Sequence, residues 1–179
     1  YLRDDKVRLT GSKMACGEGG CGACTVVVSE WDPESKKMIH KALNSCLTPL
    51  PSVLGKNVTT PEGVGNSRDG LHLVQTAMAE SFGSQCGYCT PGFVMSLYGG
   101  LLNGKTTVEE LEKCIDGNLC RCTGYRSIAD AIHKIAAEAS SISRSGNGSG
   151  NAFATKATLL SEQDGEEMHS MRSRSFKMK

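Results

Sequence analysis

Aromatic residues are scarce: one Trp, four Tyr and four Phe in 179 residues, or 5% of the chain. Any core must therefore be built from aliphatic side chains, Met and some further source of cohesion. Charge of one sign is not in excess. Twenty Lys and Arg face 19 Asp and Glu, a formal net charge of +1. That balance argues against a nucleic-acid or membrane-surface role driven by basic charge. A long apolar run is also missing. The longest uncharged stretch, residues 81–104, holds Gln85, Pro91, Asn103 and six glycines. Its truly apolar part, residues 93–102, is about half of the ~20 residues a membrane span needs. Residues 1–13 are charged throughout, so a secretory leader is not expected. The expected compartment is reducing: the cytoplasm, with the peroxisome as an alternative. There, clustered cysteines bind metal more often than they form disulfides.

Cysteine is what the chain does have. Nine cysteines are about 5% of the residues, below the roughly 8–10% of a disulfide scaffold. The odd number would leave one thiol over in a fully paired framework.

The elements are ordered strands first, helices second. Residues 25–29 (TVVVS) are β-branched and read as a strand. A polar turn over residues 31–37 leads to a second strand candidate at 38–43, and residues 57–60 give a short third. Pro49 and Pro51 separate the last two. Asp69 is placed to cap a helix in which Leu71, Val74, Met78 and Phe82 recur at helical spacing. Thr90-Pro91 opens a second helix that Asn103-Gly104 stops. Residues 107–110 (TVEE) form a capping box for a third. Ser127 opens a fourth, with Ile128, Ala131, Ile132 and Ile135 on one face. Segregated elements predict an α+β chain of two small domains. Residues 140–151 hold eight Gly or Ser in twelve, a flexible-linker composition, and a tail without apolar periodicity follows.

The cysteines fall into four, four and one. Cys16, Cys21 and Cys24 have C-x4-C-x2-C spacing, and Cys46 follows after 21 residues. This is the plant-type [2Fe–2S] spacing. The intervening residues, CGEGGCGAC, are small, so the chain can wrap a cluster and bring N–H groups to its sulfurs. Zinc and disulfides are the competing readings, but zinc sites usually use two short C-x2-4-C pairs. The second set is Cys86-x2-Cys89, then 30 residues, then Cys120-x-Cys122. Each half of this set lies at the amino end of a predicted helix. Four thiolates round an oxidised [2Fe–2S] core carry net negative charge, which two helix dipoles favour. Arg121 and Arg126 are placed to compensate charge there or to stand as solvated surface. Cys114 has no partner at ligand spacing and is expected to be a buried structural thiol.

The bland candidates are weighed beside these. His40, His72, His133 and His169 lack ligand spacing; His72 is read as a capping or surface residue. Tyr88 and Tyr125 are expected to pack, and Met78 and Met95 to be core. No P-loop, dinucleotide fingerprint or Ser-His-Asp set is present, and no general acid or base has supporting context.

Three stretches carry a resemblance: GSKMACGEGGCGACTV (11–26), SQCGYCTPGF (84–93) and GNLCRCTGYRSI (117–128). They resemble the iron–sulfur region of the xanthine dehydrogenases and aldehyde oxidases, the molybdenum hydroxylases, over residues 1 to about 139. The resemblance implies a ferredoxin-like β-grasp domain, N-terminally incomplete, over residues 1–62. It implies a four-helix [2Fe–2S] domain over 63–139, and a linker and tail over 140–179. By the same resemblance Cys16, Cys21, Cys24 and Cys46 hold one cluster, and Cys86, Cys89, Cys120 and Cys122 the other. Gln85 and the neighbourhood of Cys122 contact a molybdopterin. Electrons would pass from that centre through the helical-domain cluster, then the ferredoxin-like cluster, to FAD. The resemblance implies a β-hairpin and a helix ahead of the GSK motif, of which only the helix end is expected here, as Tyr1-Leu2-Arg3, so the ferredoxin-like sheet is expected to lack half its strands and its support. The missing initiator Met and the linker-like tail lead us to expect a fragment of a longer oxidoreductase, fused to FAD and molybdopterin domains and homodimeric when whole. A stand-alone iron–sulfur subunit is the alternative, and a structural zinc module the third reading. No nucleic-acid or membrane partner is expected.

Overall fold

The computed structural model describes residues 1–144 and 176–177. Strands β1 (Thr25–Asp32) and β2 (Lys37–Asn44) form an antiparallel hairpin, and β3 (Asn57–Thr59) pairs antiparallel with β1 on its other side. Strand β4 (Phe176–Lys177) pairs with β3, so the order is β2-β1-β3-β4. Two 3-10 turns, Ser45–Leu47 and Leu50–Val53, connect β2 to β3 around Pro49 and Pro51. Among the described residues five helices follow β3: α1 (Pro61–Val64), α2 (Leu73–Glu80), α3 (Thr90–Leu102), α4 (Val108–Cys114) and α5 (Arg126–Arg144).

The three expected strands are present, and both hairpin strands are longer than expected, because Asp32 and not Trp31 begins the turn. Its carboxylate accepts from the backbone of Glu34 and Ser35. Strand β1 is buried on both faces, which is why its run of valines does not alternate with polar residues. Val26 and Val28 pack with Val53 and Val58, while Val27 points the other way into the helical core.

Helix α3 occupies the centre of that core. Residues Gly92 to Leu101 are all buried, the pattern of a helix covered on every side. Phe93, Met95, Leu97 and Leu101 are its large interior side chains. The predicted apolar face of α5 is buried as expected: Ile128, Ala131, Ile132 and Ile135, with Ala136 and Ala139 added. Met78 and Met95 are core. The capping box of α4 is present, with the Thr107 hydroxyl accepting from Glu110 N–H and the Glu110 carboxylate accepting from Thr107 N–H. Thr107→Ala is expected to cost about 1 kcal/mol, read as a lower urea midpoint. An unchanged midpoint would contradict the cap.

Several expectations need correction. Helix α2 is capped by His72, not Asp69: the His72 imidazole accepts from Val74 N–H and Gln75 accepts from His72 N–H. Asp69 instead closes a turn with Asn66. Leu71 and Phe82 therefore lie outside the helix and are 52% and 82% exposed. Cys89, not Thr90, occupies the α3 cap position. Helix α1 was not anticipated, although Thr60-Pro61-Glu62 is a cap followed by Pro and an acidic residue. Helix α5 runs on to Arg144, beyond the expected linker start at residue 140. The remainder of the expected linker and tail, and His169, lie outside the described residues apart from β4. No described helix is long and apolar enough to cross a membrane.

Candidate metal centres

The β hairpin assembles the first cysteine set. Thr25 pairs with Asn44. Continuing that register sets Cys24 opposite Ser45, one residue before Cys46, and Ser45 confirms the approach by donating to Cys24 C=O through its N–H (3.3 Å) and hydroxyl (2.8 Å). The loop carrying Cys16 and Cys21 then folds back over this end of the sheet. Gly19 makes that possible with φ +76, a conformation costly for L side chains. Asn44 holds the loop by donating to Gly19 C=O at 2.7 Å. Backbone N–H groups point at sulfur: Gly19 at Cys46 Sγ (3.3 Å) and Glu18 at Cys16 Sγ (3.5 Å). Donors of this kind stabilise thiolates and tune metal-bound sulfur.

The second set sits between two helix starts. Cys89 caps α3, with Cys86 one turn before it, and Cys120 and Cys122 precede α5. Thr123 folds back on Cys120: its hydroxyl lies 3.0 Å from Sγ and its N–H donates to Sγ at 3.5 Å. Tyr125 accepts from Cys120 N–H at 2.9 Å, and its ring meets buried Phe93 edge-on at 6.3 Å. Packing was expected of Tyr125; the hydroxyl's grip on the cysteine backbone was not. Tyr88 departs further from expectation. It is 47% exposed and donates to Met14 C=O at 2.7 Å, tying the second set to the approach of the first.

The thiols perturb one another within each set. The Glu18 N–H, the Cys21 thiol and the Gly20 N–H draw Cys16 down to about 7. Burial, then the Cys24 thiol, raise Cys46. In the second set, burial and the neighbouring Cys120 thiol push Cys89 up to about 12. Burial opposes ionisation of Cys120, but Thr123 and the Cys122 N–H outweigh it and leave Cys120 lowered. The Cys86 thiol raises Cys122. These influences stay inside each set of four: Cys16, Cys21, Cys24 and Cys46 on one side, Cys86, Cys89, Cys120 and Cys122 on the other. Among the described residues no three His, Cys, Asp or Glu side chains close on one point as ligands of a single ion. Four crowded, partly desolvated thiols with no single-ion geometry fit a binuclear cation core, which supplies the positive charge that four thiolates lack.

Exposure divides the second set. Cys86 and Cys122 are exposed beside exposed Gln85, whereas Cys120 is buried and Cys89 half-buried. Arg121 and Arg126 are solvated; Arg126 pairs with Asp130 at 3.9 Å on the helix surface. Cys114 belongs to neither set. It is half-buried, not fully buried, donates to Glu110 C=O at 3.2 Å and meets Lys105 Nζ at 3.6 Å. His40 is also occupied elsewhere, bonded to Ser29 at 2.8 Å and lowered by burial.

The two sets adjoin. Leu119 N–H donates to Cys21 C=O at 3.0 Å, and Asn118 Nδ2 donates to Gly22 C=O at 3.2 Å. Gly92 of α3 lies so close to Gly22 that a Cβ there would stand 2.2 Å from its carbonyl oxygen. Thr123, Asn118 and Gly92 were all missed in the sequence. Only Thr123 had a local signal, a hydroxyl three residues after a ligand-type cysteine.

Comparison with known proteins agrees with this geometry. Residues 3–51 match a 2Fe-2S iron-sulfur cluster binding domain and residues 60–133 a [2Fe-2S] binding domain. Xanthine dehydrogenase 2 of Arabidopsis thaliana is 57% identical over 138 residues, 76% of this chain and 10% of the relative. The chain thus spans about a tenth of the length of such curated relatives. Quinoline 2-oxidoreductase of Pseudomonas putida 86 contains a chain 31% identical, with a TM-score of 0.64, over 78% of this chain and 81% of that one. Aldehyde oxidoreductase of Desulfovibrio gigas is 34% identical, with a TM-score of 0.65, over 87% of this chain and 16% of that one. Two [2Fe–2S]-binding units in this order, joined at a packed seam, identify the chain as the iron–sulfur region of the xanthine dehydrogenase/aldehyde oxidase family of molybdenum hydroxylases.

Proposed function

We propose that this chain is the electron relay of a molybdenum hydroxylase, passing electrons singly from a molybdopterin centre towards FAD. Cys16, Cys21, Cys24 and Cys46 would hold one [2Fe–2S] cluster, and Cys86, Cys89, Cys120 and Cys122 the other. Each cluster, when bound, supplies a one-electron redox site. The observation that carries the reading is the seam: the Cys21 carbonyl bonds directly to the residue before Cys120.

The residues around the clusters divide the work. Gly19 and Glu18 aim N–H groups at sulfur, and Thr123 does the same at Cys120. Cys89 is half-buried and Cys120 buried, and Cys120 directly follows Leu119 of the seam. Gln85, Cys86 and Cys122 form the exposed rim, where we assign contact with the pterin-bearing domain. No described side chain is placed as a substrate acid or base, so oxidative hydroxylation of a purine, another heterocycle or an aldehyde belongs to other domains. The domain limits we propose are residues 1–62 and 63–139, with 140–179 leading towards a flavin domain. The whole enzyme would be a homodimer, cytoplasmic or peroxisomal.

A second arrangement has support from one observation. The matching Pseudomonas chain is of nearly this length, since 81% of it is covered. A separate subunit pairing with flavin and molybdenum chains is therefore the alternative to the fused enzyme that the plant relative favours. The mass of the native polypeptide, read in a cell extract with an antibody to residues 1–139, separates the two. The ligand assignment is tested by anaerobic loading with iron and sulfide. About four irons and four labile sulfides per chain are expected. Two zincs and a colourless protein would sink the relay and leave the structural module.

A further inference from the structure

An unbroken route connects the two cysteine sets. It runs from the Cys21 side chain to its own carbonyl, across one hydrogen bond to Leu119 N–H, and along the backbone to Cys120. The Leu119 side chain does not set the length of that bond, being 57% exposed. Asn118 is placed to do so. It is 4% exposed and reaches both sides of the seam. Its Nδ2 donates to Gly22 C=O at 3.2 Å, and its Oδ1 accepts from Ser96 Oγ at 2.7 Å. Ser96 is itself buried in α3. A buried amide is costly unless both ends are bonded. Here the two partners lie in different segments, so satisfying the amide fixes the Cys21–Gly22 loop against α3. The Asn118 N–H, bonded to Ile115 C=O at 2.8 Å, anchors the residue's own backbone.

We infer that Asn118 is a positioning residue for electron exchange between the two cysteine sets, holding the Cys21 carbonyl on the Leu119 amide. The inference rests on the cluster assignment above. Exchange moves one electron: one site is oxidised by one, the other reduced by one, and no covalent bond forms or breaks. Electronic coupling falls more gently along covalent and hydrogen bonds than across a gap. Lengthening the Leu119–Cys21 bond therefore slows exchange without emptying either site.

The test uses the full chain loaded with iron and sulfide, given less than one electron per molecule by a radical pulse. Asn118→Asp keeps the size and the acceptor for Ser96, removes the donor, and sets a carboxylate against the Gly22 carbonyl. The expected result is exchange about tenfold slower, the scale of a small misplacement of reacting groups, with iron content and visible spectrum retained. The magnetic splitting between the two fully reduced sites should narrow in parallel. Ser96→Ala, a milder change that leaves the donor in place but unbraced, should slow exchange in the same direction and by less. If Asn118→Asp does not load iron, Ser96→Ala carries the test alone. A loaded parent chain whose exchange rate survives the substitution overturns this inference and leaves the cluster assignment standing. A parent chain that loads no [2Fe–2S] cluster overturns both.

Discussion

Cys120→Ser is expected to halve the iron and acid-labile sulfide of the loaded chain, from about four of each to about two. Serine oxygen is a harder and far more basic ligand than a thiolate and holds iron in such a core poorly. The substitution also removes the sulfur that the Thr123 hydroxyl and N–H serve. The loss should stay within one site. The thiol interactions run inside each set of four: Cys16 with Cys21, and Cys46 with Cys24 and Cys16, on one side, Cys89 with Cys120 and Cys122 with Cys86 on the other. One of two spectroscopic signals should vanish while the other keeps its position. Cys114→Ser is the control. Its thiol serves Glu110 and Lys105 and neither set, so iron should be unchanged. Loss of both signals in Cys120→Ser would contradict independent sites, and loss of neither would remove Cys120 from the ligand set.

The largest stability effect is expected at Gly92. An added Cβ would meet Gly22 O at 2.2 Å, Gly22 C at 3.0 Å and Ala23 Cα at 3.2 Å. All three are backbone atoms, so no flexible side chain can give way. Overpacking typically costs about 1–3 kcal/mol, and Gly92→Ala belongs at about 3. At roughly 2–4 °C per kcal/mol for a chain of this size, the apparent Tm should fall by about 6–12 °C. Gly117→Ala, whose Cβ has nothing within 4 Å, should stay within about 0.5 kcal/mol. Equal melting temperatures for the two variants would contradict the close approach of α3 to the Cys21–Gly22 loop.

The cysteine sets and the helical faces were legible because they are local. Spacing marks Cys16, Cys21 and Cys24 within nine residues, and the Ile128–Ala131–Ile132–Ile135 face repeats at helical period. The α4 cap was legible for the same reason. The errors have equally physical causes. Leu71 and Phe82 fit the period of α2, but His72 captured the helix start: its imidazole and Gln75 satisfy two amides that Asp69 does not reach. The seam was not legible at all. Asn118 and Gly22 are 96 residues apart, and no local pattern marks a residue whose partners lie that far away in the chain. Gly92 likewise reads as helix filler until Gly22 lies against it. Spacing and the two helix starts already grouped Cys86, Cys89, Cys120 and Cys122; resemblance to a family added the molybdopterin and FAD at the two ends of the relay.

The central claim is that one chain holds two separate [2Fe–2S] sites. Electron paramagnetic resonance of the loaded chain, fully reduced with dithionite, tests it most directly. The account predicts two distinguishable signals, each integrating to about one spin per chain. A single signal of about one spin, or none, would contradict it.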